Sequence, residues 1–438
     1  MLPPWLHPWL TADLSQAGVV AVFAIVYLGM FLGGLPHVRL DRTGVALLGA
    51  IAVIALTGMG LDDAARAVDL PTLVLLFAFM VVSAQMRLGG FYGAVTRAVA
   101  AWPLRGPALL AAVLVVAAAL SAVFSNDVIC LAMTPLVARL CVQRGLEPVR
   151  FLIGLACAAN IGSAATLIGN PQNMLIGSVL QLPFGAYMAV AWLPVLLSLA
   201  VLWVWLAWAP TGGPWRAAGL NAPTTQGLPQ TPENAPTWDA AEPPLDHFET
   251  AKGLLVAATL MALFLFTEVN REVAALVGAG VLLLSRRLHS AEVMGTVDWP
   301  LLLLFIGLFI VNHAFQQTGL SAQAVQALAA WGVHLEQPGT LLVLGSILSN
   351  AVSNVPAVML LLPHLPPAPE AGVLLALAST FAGNLLLVGS IANLIVVGLA
   401  EKAGVPIDWK QHARVGIPVT LLSLAVLWFS GPWARPVL

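Results

Sequence analysis

The stretch "SNDVICLAMTP", Ser125 to Pro135, decides how this chain must be built. It follows "ALLAAVLVVAAALSAVF", residues 108–124, and apolar residues resume almost at once after it. Ser125, Asn126 and Asp127 therefore stand side by side where there is no water to solvate them. Each polar group left unpaired in hydrocarbon costs several kcal/mol, so the interruption must be satisfied by protein, by an ion or by a solute.

The surroundings make the hydrocarbon setting plain. Apolar residues form 60% of the 438 and charged residues only 9%, against about a quarter charged in soluble domains. Mean hydropathy is +0.93. Apolar runs exceed the ~18 residues that a spanning helix needs, so the chain reads as an all-α polytopic membrane protein whose first partner is the lipid bilayer. The net charge of −2 resides in loops and gives no reason to expect a nucleic-acid partner. Cys130, Cys141 and Cys157 show neither paired nor metal-type spacing and read as small packing residues. "MLPPWLHPWLTADLSQ" lacks Lys and Arg and does not resemble a cleaved signal peptide.

Working outward, ten segments are expected to span: 17–35, 43–60, 70–88, 150–180, 184–209, 250–267, 271–285, 299–318, 371–400 and 412–430. Two further apolar stretches, 107–141 and 339–363, are interrupted midway by Ser and Asn. Residues 210–249, rich in Pro and Gly and without hydrophobic period, read as a disordered linker between residues 1–209 and 250–438.

The two parts repeat one another. "DRTGVALLGA" from Asp41 matches "NREVAALVGA" from Asn270, and "DLPTLVLLFAFMVVSAQMRLGG" from Asp69 matches "DWPLLLLFIGLFIVNHAFQQTGL" from Asp298, both at an offset of 229. "SNDVICLAMTP" falls on "SNVPAVMLLLP" from Ser353 at 228, and "GNPQN" from Gly169 on "GSIAN" from Gly389 at 220. Five spans per half is an odd number, so the second half should lie upside down, provided each interrupted stretch enters and leaves on one side as a re-entrant hairpin. That topology puts fifteen of the 18 Lys and Arg on the linker side and leaves Arg66, Arg271 and Arg435 on the other. By the positive-inside rule the linker is then cytoplasmic and both termini face out, as in a bacterial inner membrane.

Inverted repeats with broken helices are the signature of secondary transporters. Half-helix N-termini offer free N–H groups to an anion, while side-chain oxygens and half-helix C-termini offer ligands to a cation. Four breaks are expected, at Ser125–Asn126–Asp127, Gly169–Asn170–Pro171, Ser353–Asn354–Val355–Pro356 and Gly389–Ser390. Pro171 and Pro356 should help to stop the helices they follow. The candidate site is Ser125, Asn126, Asp127, Gly169, Asn170, Asn173, Ser353, Asn354, Gly389, Ser390 and Asn393. Asp127 is the candidate for cation coupling, with a cap of its own half-helix as the competing role. Asn160, Thr166 and Asn384 flank the breaks as either packing or ligand groups. Asn312, His313 and Gln316 read as a helix-packing cluster, since His313 aligns with Ala84, and Glu268 as a solvated end group.

These residues resemble the ion transporter superfamily, which includes divalent-anion/sodium symporters, citrate-type permeases, arsenite permeases and one class of sodium/proton antiporters. The divalent-anion symporters carry Ser-Asn-Thr at each hairpin tip, where this chain has Ser125–Asn126–Asp127 and Ser353–Asn354–Val355. Asn-Asp followed by Thr134–Pro135 is similar to the arsenite- and citrate-permease pattern, and "GNPQN" and "GSIANLIVV" resemble citrate-transporter-like anion permeases. The resemblance implies scaffold helices that form a homodimer around a mobile transport domain carrying both hairpins.

No Gly-Lys-Ser/Thr phosphate loop, no His-Glu-x-x-His and no paired intramembrane carboxylates occur, so neither an ATP-driven pump nor an enzyme is expected, and no cofactor beyond a coupling ion. An arsenite-permease-like chain would take its ATPase as a partner. The expected function is secondary transport of a small anion, a carboxylate or inorganic oxyanion, coupled to sodium or protons. A sodium ion would be held at Asn126, Asp127 and Asn354. The alternatives are efflux of arsenite or antimonite and, after that, sodium/proton antiport.

Overall fold

The computed structural model describes residues 14–35, 39–208, 243–366 and 368–434. Its helices, numbered here in chain order, fall into two series of ten. The first is α1 Leu14–Leu32, α2 Arg42–Thr57, α3 Leu61–Arg66, α4 Leu70–Leu88, α5 Phe91–Ala101, α6 Gly106–Val123, α7 Asn126–Gln143, α8 Pro148–Ser163, α9 Pro171–Val179 and α10 Phe184–Trp208. The second is α11 His247–Phe266, α12 Arg271–Leu283, α13 Ser290–Gly295, α14 Trp299–Gln317, α15 Leu320–Ala330, α16 Pro338–Val352, α17 Asn354–Leu361, α18 Pro369–Ala382, α19 Ile391–Lys402 and α20 Trp409–Ser430. Each helix of one series has a counterpart ten numbers on. A two-residue pairing of Gly34–Leu35 with Leu40–Asp41 is the one β ladder among the described residues.

Matching caps recur at the aligned positions of the two series. Asp69 caps α4 by accepting from Thr72 N (2.8 Å), and Asp298 caps α14 by accepting from Leu301 N (3.0 Å). Asp41 and Asn270 do the same for α2 and α12. Gly90 and Gly319, at φ 73 and 72, sit between α4 and α5 and between α14 and α15. A left-handed residue turns the chain at both places, and only glycine adopts that conformation without cost.

Eight of these helices are long and apolar enough to cross a membrane: α1, α4, α6, α7, α10, α11, α14 and α20. Six meet expected spans, and two are the arms of the first interrupted stretch. The other four expected spans are shorter or divided. Helices α2 and α12 have 16 and 13 residues, while 150–180 and 371–400 each resolve into two helices, α8 with α9 and α18 with α19. The short helices α3 and α13 and the connecting helices α5 and α15 had no counterpart in the sequence reading. α5 is amphipathic, burying Tyr92, Gly93, Thr96 and Val99 on one face, and such a helix carries too few apolar residues to stand out as a span. The linker lies outside the described residues as far as position 242, and at its far end α11 already begins at His247.

The centre of the bundle is α8 and α18. Every residue of α8 from Arg150 to Ser163 is buried, as is α18 from Val373 to Ala382. A helix apolar on all sides belongs inside a protein. Packing is reciprocal between the series: α2 lies on α14 as α12 lies on α4, and α19 contacts α7 as α9 contacts α17. The last helices, α10 and α20, pack on each other.

Where α4 ends, two series are clasped together. The buried Glu249 accepts from Gln85 Nε2 (2.6 Å) and from Ser285 Oγ (2.6 Å), joining α11 to α4 and to the segment after α12. Arg287 pairs with Asp246 at 2.7 Å beside it. At the base of α7, the Arg144 guanidinium donates to the carbonyls of Ala100, Trp102 and Leu104, closing the end of α5.

Candidate functional site

The interrupted stretches turn where the polar residues fall. α6 and α7 are joined at Phe124–Ser125, and α16 and α17 at Ser353. Ser353 has φ 76 and ψ 160, a combination that costs a non-glycine residue about 1–3 kcal/mol. Its counterpart Ser125 is relaxed at φ −56 and ψ 132. The expectation that Pro171 and Pro356 stop helices is corrected: Pro171 opens α9 and Pro356 lies in the first turn of α17. There the missing N–H has no helical partner to lose, so proline starts a helix rather than ending one.

Tips and breaks come to one level. From its base, α7 runs about 27 Å to the tip, and α8 runs about 24 Å to its break, at 1.5 Å per residue. Contact follows: Asn126 N donates to Gly169 O at 3.2 Å.

Asn160, in the last turn of α8, is where the parts of the site converge. Its Oδ1 accepts from Asn126 Nδ2 (3.0 Å) and from Ser390 Oγ (3.0 Å). Its Nδ2 donates to Asn384 Oδ1 (2.8 Å) and Asn393 Oδ1 (3.2 Å). One amide thus joins the first hairpin tip to the break between α18 and α19. Behind it, His412 Nε2 lies 3.0 Å from Asn384 O.

A second junction mirrors the first. Asn160 aligns with Thr380 at the offset of 220, and Thr380 Oγ1 accepts from Gln172 Nε2 (3.1 Å) and Asn170 Nδ2 (3.4 Å). The Asn354 amide is satisfied when its oxygen accepts from Gln172 Nε2 (3.2 Å) and its nitrogen donates to the carbonyls of Gly389 and Ser379 (3.2 Å each). The Ser349 hydroxyl lies against the same amide and donates to Ser379 O at 2.9 Å. Asn354 therefore meets the break of its own half and the half-helix α9 of the other, whereas Asn126 meets the break of its own half and reaches the other half through Asn160.

Asn173 and Asn393 brace the breaks themselves. Asn173 Nδ2 donates to Thr166 O (2.9 Å) and to Tyr187 Oη (3.0 Å), and Asn393 Nδ2 to Gly383 O (2.9 Å) and Leu386 O (3.2 Å). Gly169 and Gly389 permit close backbone approach. A side chain at Gly169 would strike the carbonyls of Ser163 and Ser121, and one at Gly389 would come within 2.7 Å of Asn350 Oδ1.

Two candidate residues stand apart. Ser125 and Asp127 are half-buried, and no side-chain hydrogen bond joins either to another described residue. The capping role weighed for Asp127 requires N–H groups directed at its carboxylate, and none is present.

The network leaves open valences. Asn126 Oδ1, Asn173 Oδ1 and Asn384 Nδ2 are buried without a partner. No side chain caps the N-termini of α7, α17 or α19. None of the hydrogen bonds just described is donated by a Lys or Arg, so the site offers amides, hydroxyls and helix N-termini, with a carboxylate beside them. Gln172, Thr380, Ser349 and Ser379 were missed by sequence reasoning. Extending the alignment from "GNPQN" back to Asn160 would have paired it with Thr380, and Ser121 with Ser349 follows from the 228 offset.

Membrane-spanning helices with paired interior breaks, closed by polar side chains from both ends of the chain, define a multi-pass membrane transporter. The chain belongs to the citrate transporter (CitMHS) family, which residues 23–373 match. It is 29% identical over 460 residues to the silicon efflux transporter LSI3 of Oryza sativa subsp. japonica, covering 92% of this chain and 95% of that one. With the inner membrane protein YbiR of Escherichia coli K12 it shares 31% identity over 365 residues, 82% of this chain and 87% of the other. A Dictyostelium discoideum protein named arsB is 23% identical over 495 residues, covering 89% and 87%. The fold is similar to the crystal structure of the Alcanivorax borkumensis YdaH transporter, with a TM-score of 0.55 at 14% identity, over 97% of this chain and all of that one.

Proposed function

We propose that this protein is a secondary active transporter that carries a small anion, a carboxylate or an inorganic oxyanion, across the plasma membrane by alternating access, coupled to sodium or protons. The observation that carries the reading is the Asn160 junction, where one amide bonds to the tip of one hairpin and to the break of the other half. Polar atoms are costly to bury at this depth. A site that leaves Asn126 Oδ1 and Asn384 Nδ2 unpaired while three half-helix N-termini stand uncapped nearby is built to take a solute. Reciprocal packing of the two series supports an inverted repeat, in which rocking of one set of helices exposes the junction to each side in turn.

A second reading is efflux of a neutral hydroxide such as arsenite or antimonite. It is favoured by the absence of Lys and Arg from the network, because an uncharged solute needs no counter-charge, and by the silicon efflux and arsB names of two relatives.

Reconstitution tests both. Purified protein in liposomes is offered citrate, sulfate, phosphate, arsenite and silicic acid, with imposed sodium or pH gradients. Saturable accumulation of an anion above its equilibrium level is the expected result. Gradient-driven movement of arsenite or silicic acid alone selects the second reading. Flux that only dissipates gradients and never saturates describes a channel and overturns both.

A further inference from the structure

Both breaks are held from behind by the helices that follow them. Tyr187 and His412 are each the fourth residue of their helix, α10 and α20, and both are buried, at 1% and 2% exposed. Tyr187 Oη donates to Ala164 O at 2.8 Å, and His412 Nε2 lies 3.0 Å from Asn384 O. Ala164 and Asn384 align at the same offset of 220 that pairs the breaks. Each lies just past a helix end, that of α8 or α18, where backbone carbonyls have no partner within the helix. A ring donor from the next span therefore closes the same position in each half.

The geometry fixes the imidazole. A carbonyl can only accept, so His412 carries its hydrogen on Nε2. One turn on, residue 416 is glycine, and a Cβ there would come within 2.3 Å of the same Asn384 O. α20 is thus laid directly against the break.

What the brace sets differs between the halves. In the first, the phenol also accepts from Asn173 Nδ2 (3.0 Å), and Ala164 offers the site only backbone. In the second, the braced residue is Asn384. Its Oδ1 takes the Asn160 amide at 2.8 Å, and its Nδ2 is buried without a partner. Fixing the Asn384 backbone therefore fixes both a bond between the halves and the direction of an open donor.

We propose that His412 is a positioning residue of the transport site. It holds the Asn384 carbonyl so that the Asn384 amide meets Asn160 and keeps Nδ2 open to a solute acceptor, and Tyr187 is its counterpart at the first break. The proposal rests on the transport reading above for its solute, while the brace itself can be measured without flux.

His412→Gln can place an amide N–H where Nε2–H stood, whereas His412→Leu fills the space without a donor. Purified variants in detergent are compared with the parent by hydrogen–deuterium exchange over residues 383–390. Exchange there should quicken by about fivefold or more in His412→Leu and stay within about twofold of the parent in His412→Gln. Tyr187→Phe, which loses only a hydroxyl, should quicken exchange over residues 163–170 and leave 383–390 at the parental rate. In liposomes offered citrate, sulfate, phosphate, arsenite or silicic acid, the KM of the solute carried should rise by about tenfold in His412→Leu and return in His412→Gln, with maximal rates within about twofold.

Parental exchange in both His412→Leu and Tyr187→Phe, or equal disturbance by His412→Leu and His412→Gln, overturns the brace. Faster exchange in His412→Leu with an unchanged KM would make His412 a structural prop and overturn its role in the site. A parent without saturable flux would sink the transport reading alone, and the exchange comparison would still decide the brace.

Discussion

Asn160 Nδ2 donates to Asn384 Oδ1 at 2.8 Å, although the two residues are 224 positions apart. The bond crosses from the break of the first series to that of the second. Any movement that separates the halves at this level must break it, and any solute bound beside it can replace it. The junction is thus a place where the two halves are fastened and, on the proposed transport reading, where they would respond to a ligand.

The tips should be needed equally. Asn126→Ala removes one of the two donors to Asn160 Oδ1, and Asn354→Ala leaves Gln172 and the carbonyl of Gly389 short of a partner. Each vacancy costs about 1–3 kcal/mol, which corresponds to roughly tenfold or more in apparent affinity. Both variants should be monodisperse in detergent yet lose solute flux in liposomes. Uptake at the parental rate in both would remove the tips from the site.

Asp127 should matter for coupling rather than for binding. Its aligned residue is Val355, so a hairpin tip does not in itself require a carboxylate, and here the carboxylate caps nothing. An isolated charge in the membrane costs on the order of 3 kcal/mol on the lenient scale, a cost that a cation or a proton can relieve. Asp127→Asn should still bind solute, judged by thermal shift, but lose accumulation driven by sodium or pH. Unchanged sodium and pH dependence in this variant would move the coupling site elsewhere.

These two cases also mark what could be read in the chain. Ser125–Asn126 and Gly169–Asn170 interrupt runs of apolar residues, and polar atoms in hydrocarbon must be satisfied, so the breaks and the fold class were legible. Their partners were not. Gln172 and Thr380 lie on α9 and α18, inside stretches whose composition alone suggests ordinary packing, and only the three-dimensional return of one half onto the other brings them together. α5 and α15 escaped because, at 11 residues each, they are too short to read as spans. Asn312 takes the helix-packing role expected of it, bonded to Tyr27 and Leu308 O, while its half-buried neighbour His313 borders a cavity, a setting that periodicity cannot distinguish from a protein-facing one.

Glu249 should be a structural requirement. It is 1% exposed and holds both Gln85 and Ser285. Glu249→Ala strands the buried Gln85, at about 1–3 kcal/mol, and frees the half-buried Ser285, so its melting temperature in detergent should fall by several degrees. The exposed Glu268 serves as the control, and Glu268→Ala should melt with the parent. Equal melting of the two variants would show that the clasp contributes nothing.

The neighbouring pair carries a pH signature. The Arg287 guanidinium bonded to Asp246 holds its carboxyl below the usual carboxylate range, aided by the backbone N–H groups of Glu249 and Phe248. A lowered value means the contribution is complete above the unfolded-state value of about 4 and fades as pH falls through the folded-state value beneath it. Melting temperatures measured from pH 7 down to about 3 should therefore drop less steeply for Asp246→Asn than for the parent. Parallel curves would assign the acid response to other groups.

On the proposed transport reading, one site at the tips is presented alternately to the two sides of the membrane. Ser125 is the position to ask, being half-buried, without a side-chain partner and next to Asn126. Ser125→Cys, in a background lacking Cys130, Cys141 and Cys157, is reconstituted in sealed vesicles and exposed to a membrane-impermeant thiol reagent from either side. Labelling should proceed from both sides and slow from both when a transported solute is present. Labelling from one side alone, whatever the gradient or solute, would contradict alternating access at this site.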